Sequence, residues 1–168
     1  MSAIKDVRYR VIGVIHSPFT DRQRTPIQSV FSSARGRVEV HAQYSEGLEG
    51  LAEFSHVYLL YHFHQASQGP LMETPLLDGE RPRGIFSIRH YNRPNPIGLS
   101  IVEIEKIEGN ILFIKGIDVL DGTPLLDLKP YVARFDHRDK VRDGWIDAQQ
   151  KREIKDESAT PENLLGND

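Results

Sequence analysis

Hydrophobic and polar residues alternate along much of this chain with the period of two that is typical of β-strands. In residues 97–107, Val102 and Ile104 alternate with glutamates, and Glu108-Gly109-Asn110 connects this segment to a second alternating one at 111–117. Two alternating segments joined by a short turn predict a β-hairpin. The same pattern predicts further strands at 8–15, 36–41, 57–64, 84–88 and 125–131.

One segment has helical rather than alternating spacing. Leu48, Leu51 and Phe54 recur at intervals of three within residues 44–54, which predicts a short helix. Six or seven strands with one short helix predict an all-β barrel or sandwich. From Arg134 onward the chain is rich in charge, so we divide it into a β-domain over residues 1–133 and a C-terminal arm and tail over 134–168.

Composition restricts the classes of function. The chain has 168 residues, enough for one domain with a core, and its net charge of −3 means that any nucleic-acid binding must use a local basic patch. It contains no cysteine, which excludes disulfides and thiolate chemistry. The N-terminal residues lack the apolar core of a signal peptide and no apolar segment is long enough to span a bilayer, so we expect a cytoplasmic protein without a membrane partner.

A local basic patch does occur at residues 81–95, which include no acidic residue. Its cationic side chains are Arg81, Arg83, Arg89 and Arg93, together with His90. Arginine forks bind phosphate or carboxylate groups bidentately, and Tyr91 beside them can stack on a nucleobase. The alternative is a solvated loop with scattered arginines.

Asn95 lies between Pro94 and Pro96, which fix the backbone on either side. A side-chain amide held in this way can accept a hydrogen bond from an amino group and donate one in return. The alternative is that Asn95 simply caps a tight turn, because Asn-Pro pairs favour turns.

Acidic residues are concentrated in segment 118–131, where Asp118, Asp121 and Asp127 accompany Lys129. Carboxylates in this pattern can bind ribose hydroxyls, a substrate amine or a cation. The alternative is an ordinary hairpin, with Asp127 and Lys129 paired on one strand face.

Several common site types are not indicated. His62 and His64 share a predicted strand face, but no third ligand is placed by spacing, so we predict no metal site. The glycine fingerprint of dinucleotide-binding folds, the phosphate-binding loop of nucleotide hydrolases and the serine nucleophile elbow are all missing from the sequence. A polar, planar or phosphate-bearing ligand fits the remaining candidates best.

Two blocks in this order, Arg93-Pro94-Asn95-Pro96-Ile97-Gly98-Leu99-Ser100 and Asp121 through Tyr131, resemble the TrmO (YaeB-like) family of S-adenosylmethionine-dependent tRNA adenine methyltransferases. The resemblance covers residues 9–132. It implies a single-sheet β-barrel, a homodimer with S-adenosylmethionine near the subunit contact, and the tRNA anticodon loop as partner. It also implies methylation of the exocyclic amine of the threonylcarbamoyl-modified adenosine beside the anticodon.

The resemblance also implies residue roles. The cofactor-binding residues would be Pro26, Ile27, Gln28, Phe63, His64, Arg89, Leu99, Lys115, Gly116, Ile117 and Asp118. From the chemistry of the residues, we expect Asn95 and Arg93 to be catalytic, with Asp118 or Asp127 as proton acceptor. We expect the substrate to contact His90, Tyr91, Asp121, Thr123, Lys129 and Tyr131.

Residues 90–92, His-Tyr-Asn, depart from the small or proline residue that family members often carry there, so the substrate is the less defined part of the prediction. Two alternatives therefore stay open. One is a β-barrel methyltransferase acting on another RNA or on a small molecule. The other is a non-catalytic module that binds S-adenosylmethionine or a nucleotide.

Overall fold

The computed structural model describes residues 6–75 and 81–148 and contains one closed antiparallel barrel. The strands are β1 (Gly13–His16), β2 (Arg35–Val40), β3 (His56–His62), β4 (Met72–Glu73), β5 (Arg83–Gly84), β6 (Ile97–Glu108), β7 (Ile111–Lys115) and β8 (Thr123–Pro130). Six of them close in the order β1-β2-β7-β6-β3-β8, while β4 and β5 form a separate pair. The predicted all-β, single-sheet barrel is confirmed.

Alternation along the strands fills the barrel interior. Inward residues such as Val57 and Leu59 of β3, Leu112 and Ile114 of β7 and Leu125 of β8 are fully buried. Each such side chain contributes about 1.5–3 kcal/mol by leaving water. The predicted hairpin is β6–β7, whose turn uses Gly109 at φ 60°, a conformation that suits glycine.

The predicted helix at 44–54 is present as two 3₁₀ helices, Ala42–Leu48 and Leu51–Glu53. They are separated by Gly50, whose left-handed backbone (φ 77°) interrupts the helix. Leu48 and Leu51 are buried against the core, so the predicted helix is present with its apolar side chains turned inward.

Two predicted strands are shorter than their patterns indicated. The first begins only at Gly13, where pairing with both β2 and β8 starts. Residues 84–88 mostly form a 3₁₀ turn, Ile85–Ser87. In this segment, the carbonyl groups of Ile85 and Ile88 accept hydrogen bonds from the Arg93 guanidinium, at 3.0 and 2.7 Å, instead of from a neighbouring strand.

The beginning of the predicted C-terminal arm contains a short helix α1 (Ala133–Asp136) and a 3₁₀ helix, Gly144–Ala148. The Trp145 indole donates to the Ser87 carbonyl at 2.9 Å, and Arg83 lies 4.8 Å above the Trp145 ring. These contacts join the arm to the first part of the basic patch. Residues 149–168 lie outside the described residues, and the domain boundary at 133/134 stays a prediction. Within the described ranges, none of the helices has the length and apolar character that a membrane crossing requires.

Candidate functional site

A cavity of about 450 Å³ opens at one end of the barrel. It forms where β3 ends and where β6 and β8 begin, so side chains from distant parts of the sequence meet there. Its wall comes from the loop after β1 (22–28), the end of β3 with the residues after it (61–66), the basic segment (86–93), the start of β6 (97–99) and the approach to β8 (118–123).

Asp118 lies in this cavity, largely surrounded by protein. Burial raises the pKa of its carboxyl group from 3.8 to about 7. Hydrogen bonds from the Ser100 hydroxyl (2.5 Å) and from the Ser29 backbone oppose this increase, as does the positive charge of Arg89. A carboxyl group with this pKa is half-ionised near neutral pH, so it can hold a cation or accept a proton.

Tyr61 and Gly98 lie directly opposite each other across β3 and β6. A Cβ atom on Gly98 would lie 2.0 Å from the Tyr61 ring, so only glycine leaves room for this ring. The Tyr61 hydroxyl then reaches Ser100 Oγ at 3.0 Å. Burial, with the nearby Asp118 charge as a smaller cause, raises the pKa of Tyr61, which therefore keeps its proton.

Arginines form one wall of the cavity, but they are not equivalent. The Arg89 guanidinium donates to Gln28 Oε1, connecting the basic segment to the loop after β1. Arg93 donates to the two backbone carbonyls described above and is half-buried. Arg93 therefore stabilises the wall, whereas the Arg89 side chain also acts on the Asp118 charge.

Aromatic rings surround the mouth of the cavity. His90 and Tyr91 stack at 4.3 Å, Arg22 lies 5.2 Å above the Tyr91 ring, and the Phe63 ring meets it edge-on at 6.4 Å. Phe86 is 77% exposed. Burial lowers the pKa of His90, so this side chain is neutral at pH 7 and offers a stacking surface for a planar ligand.

Most of the predicted site residues meet in this cavity. Those that line it are Pro26, Ile27, Gln28, Phe63, His64, Arg89, His90, Tyr91, Arg93, Leu99, Asp118 and Thr123. Burial, with His62 and Arg22 as smaller causes, lowers the pKa of His64. The structure therefore brings together residues that lie almost 100 positions apart in the sequence.

Other predicted residues lie outside the cavity. Asn95 is exposed on the proline turn, and among the described residues its side chain makes no hydrogen bond. Asp127 pairs with Lys129 at 2.9 Å on the outside of the barrel, and the Tyr131 ring lies 5.7 Å from that of Tyr58. The roles predicted for Asn95, Asp127, Lys129 and Tyr131 stay predictions.

A β-bulge explains the outward position of Asp127. Strict alternation from buried Leu125 would place Asp127 inside the barrel. The β3–β8 register shifts between Leu60 and Tyr61, so that Leu60 faces Asp127 but Tyr61 faces Leu125. The extra residue reverses the alternation, and Leu128 packs against the core instead.

The remaining predicted residues contact the barrel rather than the cavity. Lys115 pairs with Glu103 at 3.6 Å, Gly116 turns the chain with φ 88°, and Ile117 is fully buried. The Asp121 carboxylate accepts hydrogen bonds from the Ser17 backbone and the His16 ring. These residues hold the segment that presents Asp118.

Sequence reasoning missed two polar residues that the structure places beside Asp118, namely Tyr61 and Ser100. A signal for Ser100 was present, because it occupies an inward position of an alternating strand where an apolar residue is expected. Phe86 and Arg22 were also missed, since nothing in their local pattern distinguishes them from loop residues. Across the described part of the chain, no cluster of three or more histidine or acidic side chains could hold a metal ion.

The fold and the cavity define a class of protein: a small closed antiparallel barrel with a polar-ligand site that combines a buried carboxyl group, arginines and aromatic rings. Residues 14–137 match the family model described as the tRNA-methyltransferase O N-terminal domain. The chain belongs to this family.

Individual relatives agree with this assignment. The chain is 50% identical over 140 residues to a probable S-adenosyl-L-methionine-binding protein of Pyrococcus abyssi, covering 83% of this chain and 76% of that one. It is 37% identical to the tRNA (adenine(37)-N6)-methyltransferase of Escherichia coli, covering 74% of this chain but 57% of the enzyme. A crystal structure of TrmO from Pseudomonas aeruginosa superimposes with a TM-score of 0.69 at 39% identity, covering 83% of this chain and 62% of that one.

Proposed function

We propose that this chain is an S-adenosylmethionine-dependent methyltransferase that modifies the exocyclic amine of an adenine in tRNA. The more specific substrate we propose is threonylcarbamoyl-modified adenosine beside the anticodon. The observation that supports this best is the position of Asp118, a carboxyl group with a pKa near 7, in a cavity that also holds arginines and aromatic rings. Because the proposed substrate is tRNA, we expect the protein to act in the cytoplasm.

The cavity has charged and apolar groups that match the parts of S-adenosylmethionine. Arg89 can bind a carboxylate, and Asp118 can bind an ammonium or sulfonium cation. Phe63 and the half-exposed Leu99 offer apolar surface to an adenine ring. When bound, this cofactor supplies an electrophilic methyl group.

The residues of the chain supply orientation and a destination for a proton. Binding both reactants in one cavity makes the transfer effectively unimolecular, which is the main contribution such a site can make. The methylated amine must lose a proton, and Asp118 is matched to accept it because its pKa lies near the working pH. Asp127 lies outside the cavity of its own chain, so Asp118 is the better candidate.

We also propose that the protein is a homodimer. The outer face of β6 carries three exposed apolar residues, Ile97, Leu99 and Ile101, with 39%, 54% and 39% exposure. Ile97 and Leu99 also line the cavity, so a second copy packed on this face would help to enclose the ligand. Sedimentation of the purified chain tests this: the L99E variant should be monomeric if β6 is the contact, and a monomeric wild type would refute it.

The direct test of the activity is mass spectrometry of tRNA nucleosides after incubation with the protein and methyl-labelled S-adenosylmethionine. Label on threonylcarbamoyl-adenosine supports the proposal, and label elsewhere redirects the substrate assignment. Asp118→Asn and Asp127→Asn form a matched pair, and we expect only the former to reduce turnover strongly while tRNA still binds. The opposite result would move the proton acceptor to Asp127.

The second candidate is a module that binds S-adenosylmethionine without catalysis. It is favoured by the relatives named only as S-adenosyl-L-methionine-binding proteins. Tight calorimetric binding of S-adenosylmethionine together with no label in any tRNA nucleoside would support this candidate over the enzyme.

A further inference from the structure

A chain of three polar groups runs through the interior of the barrel to the cavity. Tyr61 and Ser100 are each only 3% exposed. Their hydroxyl groups are 3.0 Å apart, and Ser100 Oγ lies 2.5 Å from Asp118 Oδ1. The Tyr61 side chain belongs to the apolar core of the barrel, and its ring lies 5.3 Å from that of Phe63.

The hydrogen bonds of this chain have a defined direction. A serine hydroxyl has one hydrogen, and Ser100 donates it to the Asp118 carboxylate. The Tyr61 hydroxyl must then be the donor in its bond to Ser100. Both hydrogen bonds thus favour the ionised form of Asp118, and they fix the oxygen that faces Ser100.

Several features hold Tyr61, Ser100 and Asp118 in place. Gly98 leaves the space that the Tyr61 ring fills, and the Ser29 backbone bonds Asp118 from the loop after β1. Arg89 is the cation that acts on Asp118 from the basic segment. The ionisable side chains that line the cavity besides Tyr61 and Asp118 are Arg22, His64, Arg89, His90, Tyr91 and Arg93.

We propose that Tyr61 and Ser100 are positioning residues: their hydroxyl chain orients the Asp118 carboxylate and favours its ionised form, so that it presents a negative charge to a cationic ligand group. The role of Asp118 toward S-adenosylmethionine rests on the proposed function, but the effect of the hydroxyl chain on Asp118 does not. The two hydroxyl groups thus offset part of the free-energy cost of placing a carboxylate in a poorly hydrated site.

The test measures the ionisation of Asp118 directly, by NMR titration of its ¹³C-labelled carboxyl group in the protein without ligand. Ser100→Ala should raise the titration midpoint by about one pH unit, a tenfold change in the ionisation constant, because a charge-assisted hydrogen bond is lost. Tyr61→Phe keeps the ring on Gly98 and removes only the hydroxyl, so it should raise the midpoint by a smaller amount. Tyr58→Phe, on the outer face of the same strand, is the matched control and should not change it.

A midpoint that is unchanged in both Ser100→Ala and Tyr61→Phe would overturn the proposal. Because Tyr61→Phe is a conservative change, it keeps the test valid if Ser100→Ala does not fold. Calorimetry of S-adenosylmethionine binding against pH adds a second measurement: the pH midpoint of affinity should move upward with the titration midpoint. If tRNA is never methylated but the midpoints of the Asp118 titration and of S-adenosylmethionine affinity both move, the proposed methyltransferase activity is refuted. The positioning role of Tyr61 and Ser100 is then still supported.

Discussion

Replacing Asp118 by asparagine should make the protein more stable at high pH but not at low pH. The folded protein raises the pKa of this carboxyl group from 3.8 to about 7. Below pH 4 the group is protonated in both the folded and unfolded states. Above pH 7 it is charged in both states, and the folded state then bears the cost of a poorly hydrated charge.

The magnitude follows from the pKa difference. About three pH units at about 1.4 kcal/mol each correspond to about 4 kcal/mol of unfolding free energy, lost by the wild type between pH 4 and pH 8. Relaxation of the protein and water in the cavity reduce this cost, so we expect about 2–4 kcal/mol. Asparagine does not titrate, and the variant therefore escapes this loss.

Urea unfolding of wild type and Asp118→Asn at pH 4 and pH 8, followed by circular dichroism, measures this effect. Subtracting wild type from variant at each pH removes the contributions of other titrating groups. The stability difference should favour the variant more at pH 8 than at pH 4, whereas Glu46→Gln, at an exposed carboxylate in a 3₁₀ helix, should show no such change. Equal differences at both pH values would refute the reasoning that burial dominates the pKa of Asp118.

Three further substitutions test the structure around the cavity. Gly98→Ala should lower the unfolding free energy by about 1–3 kcal/mol, measured by urea titration, because the new methyl group overlaps the Tyr61 ring. Gly47→Ala, which has open space at its Cβ, should be nearly neutral, and equal effects of the two variants would contradict this packing. Arg93→Ala should cost about 1–3 kcal/mol in thermal unfolding, since the two carbonyl groups lose their hydrogen-bond donor. If Arg93 is only a structural clamp, the salt dependence of tRNA binding stays as in wild type, and a shallower slope would show a phosphate contact instead. Trp145→Phe should cost about 1 kcal/mol and increase proteolysis after residue 132, and an unchanged cleavage rate would mean that its hydrogen bond does not hold the arm.

The sequence predicted best those elements whose contacts are local. The β6–β7 hairpin followed from alternation and from the glycine turn, because its strands pair across two residues. The barrel closes through pairs such as β1 with β8, which are far apart in the sequence, and alternation carries no information about which strands meet. The 3₁₀ turn at Ile85–Ser87 was predicted as a strand because its carbonyl partner, Arg93, lies outside the turn itself.

The site was predictable to the extent that motifs carried it. The resemblance named Asp118, Arg89 and Phe63 as cofactor-binding residues, and all three line one cavity, although their binding roles stay predictions. The residues of the sequence alone left several alternatives open. Tyr61 and Ser100 were missed since their hydrogen bond spans 39 positions and forms only when β3 and β6 pair. Asp127 was expected in the cavity, but a single bulge residue turns its side chain outward, and bulges have no reliable sequence signal here.

The proline-rich block from Arg93 to Gly98 connects the wall of the cavity to its interior. Arg93 at its beginning holds the wall through two carbonyls, and Gly98 at its end makes room for the ring whose hydroxyl begins the chain to Asp118. The Pro96 carbonyl also accepts a hydrogen bond from the Phe63 backbone at 2.8 Å. A change at Arg93 therefore acts on the wall, and a change at Gly98 acts on the groups that orient the Asp118 carboxylate. The contribution of exposed Asn95 to catalysis must accordingly be measured as turnover at unchanged stability and unchanged Asp118 titration, because only then does a loss of rate belong to the amide itself.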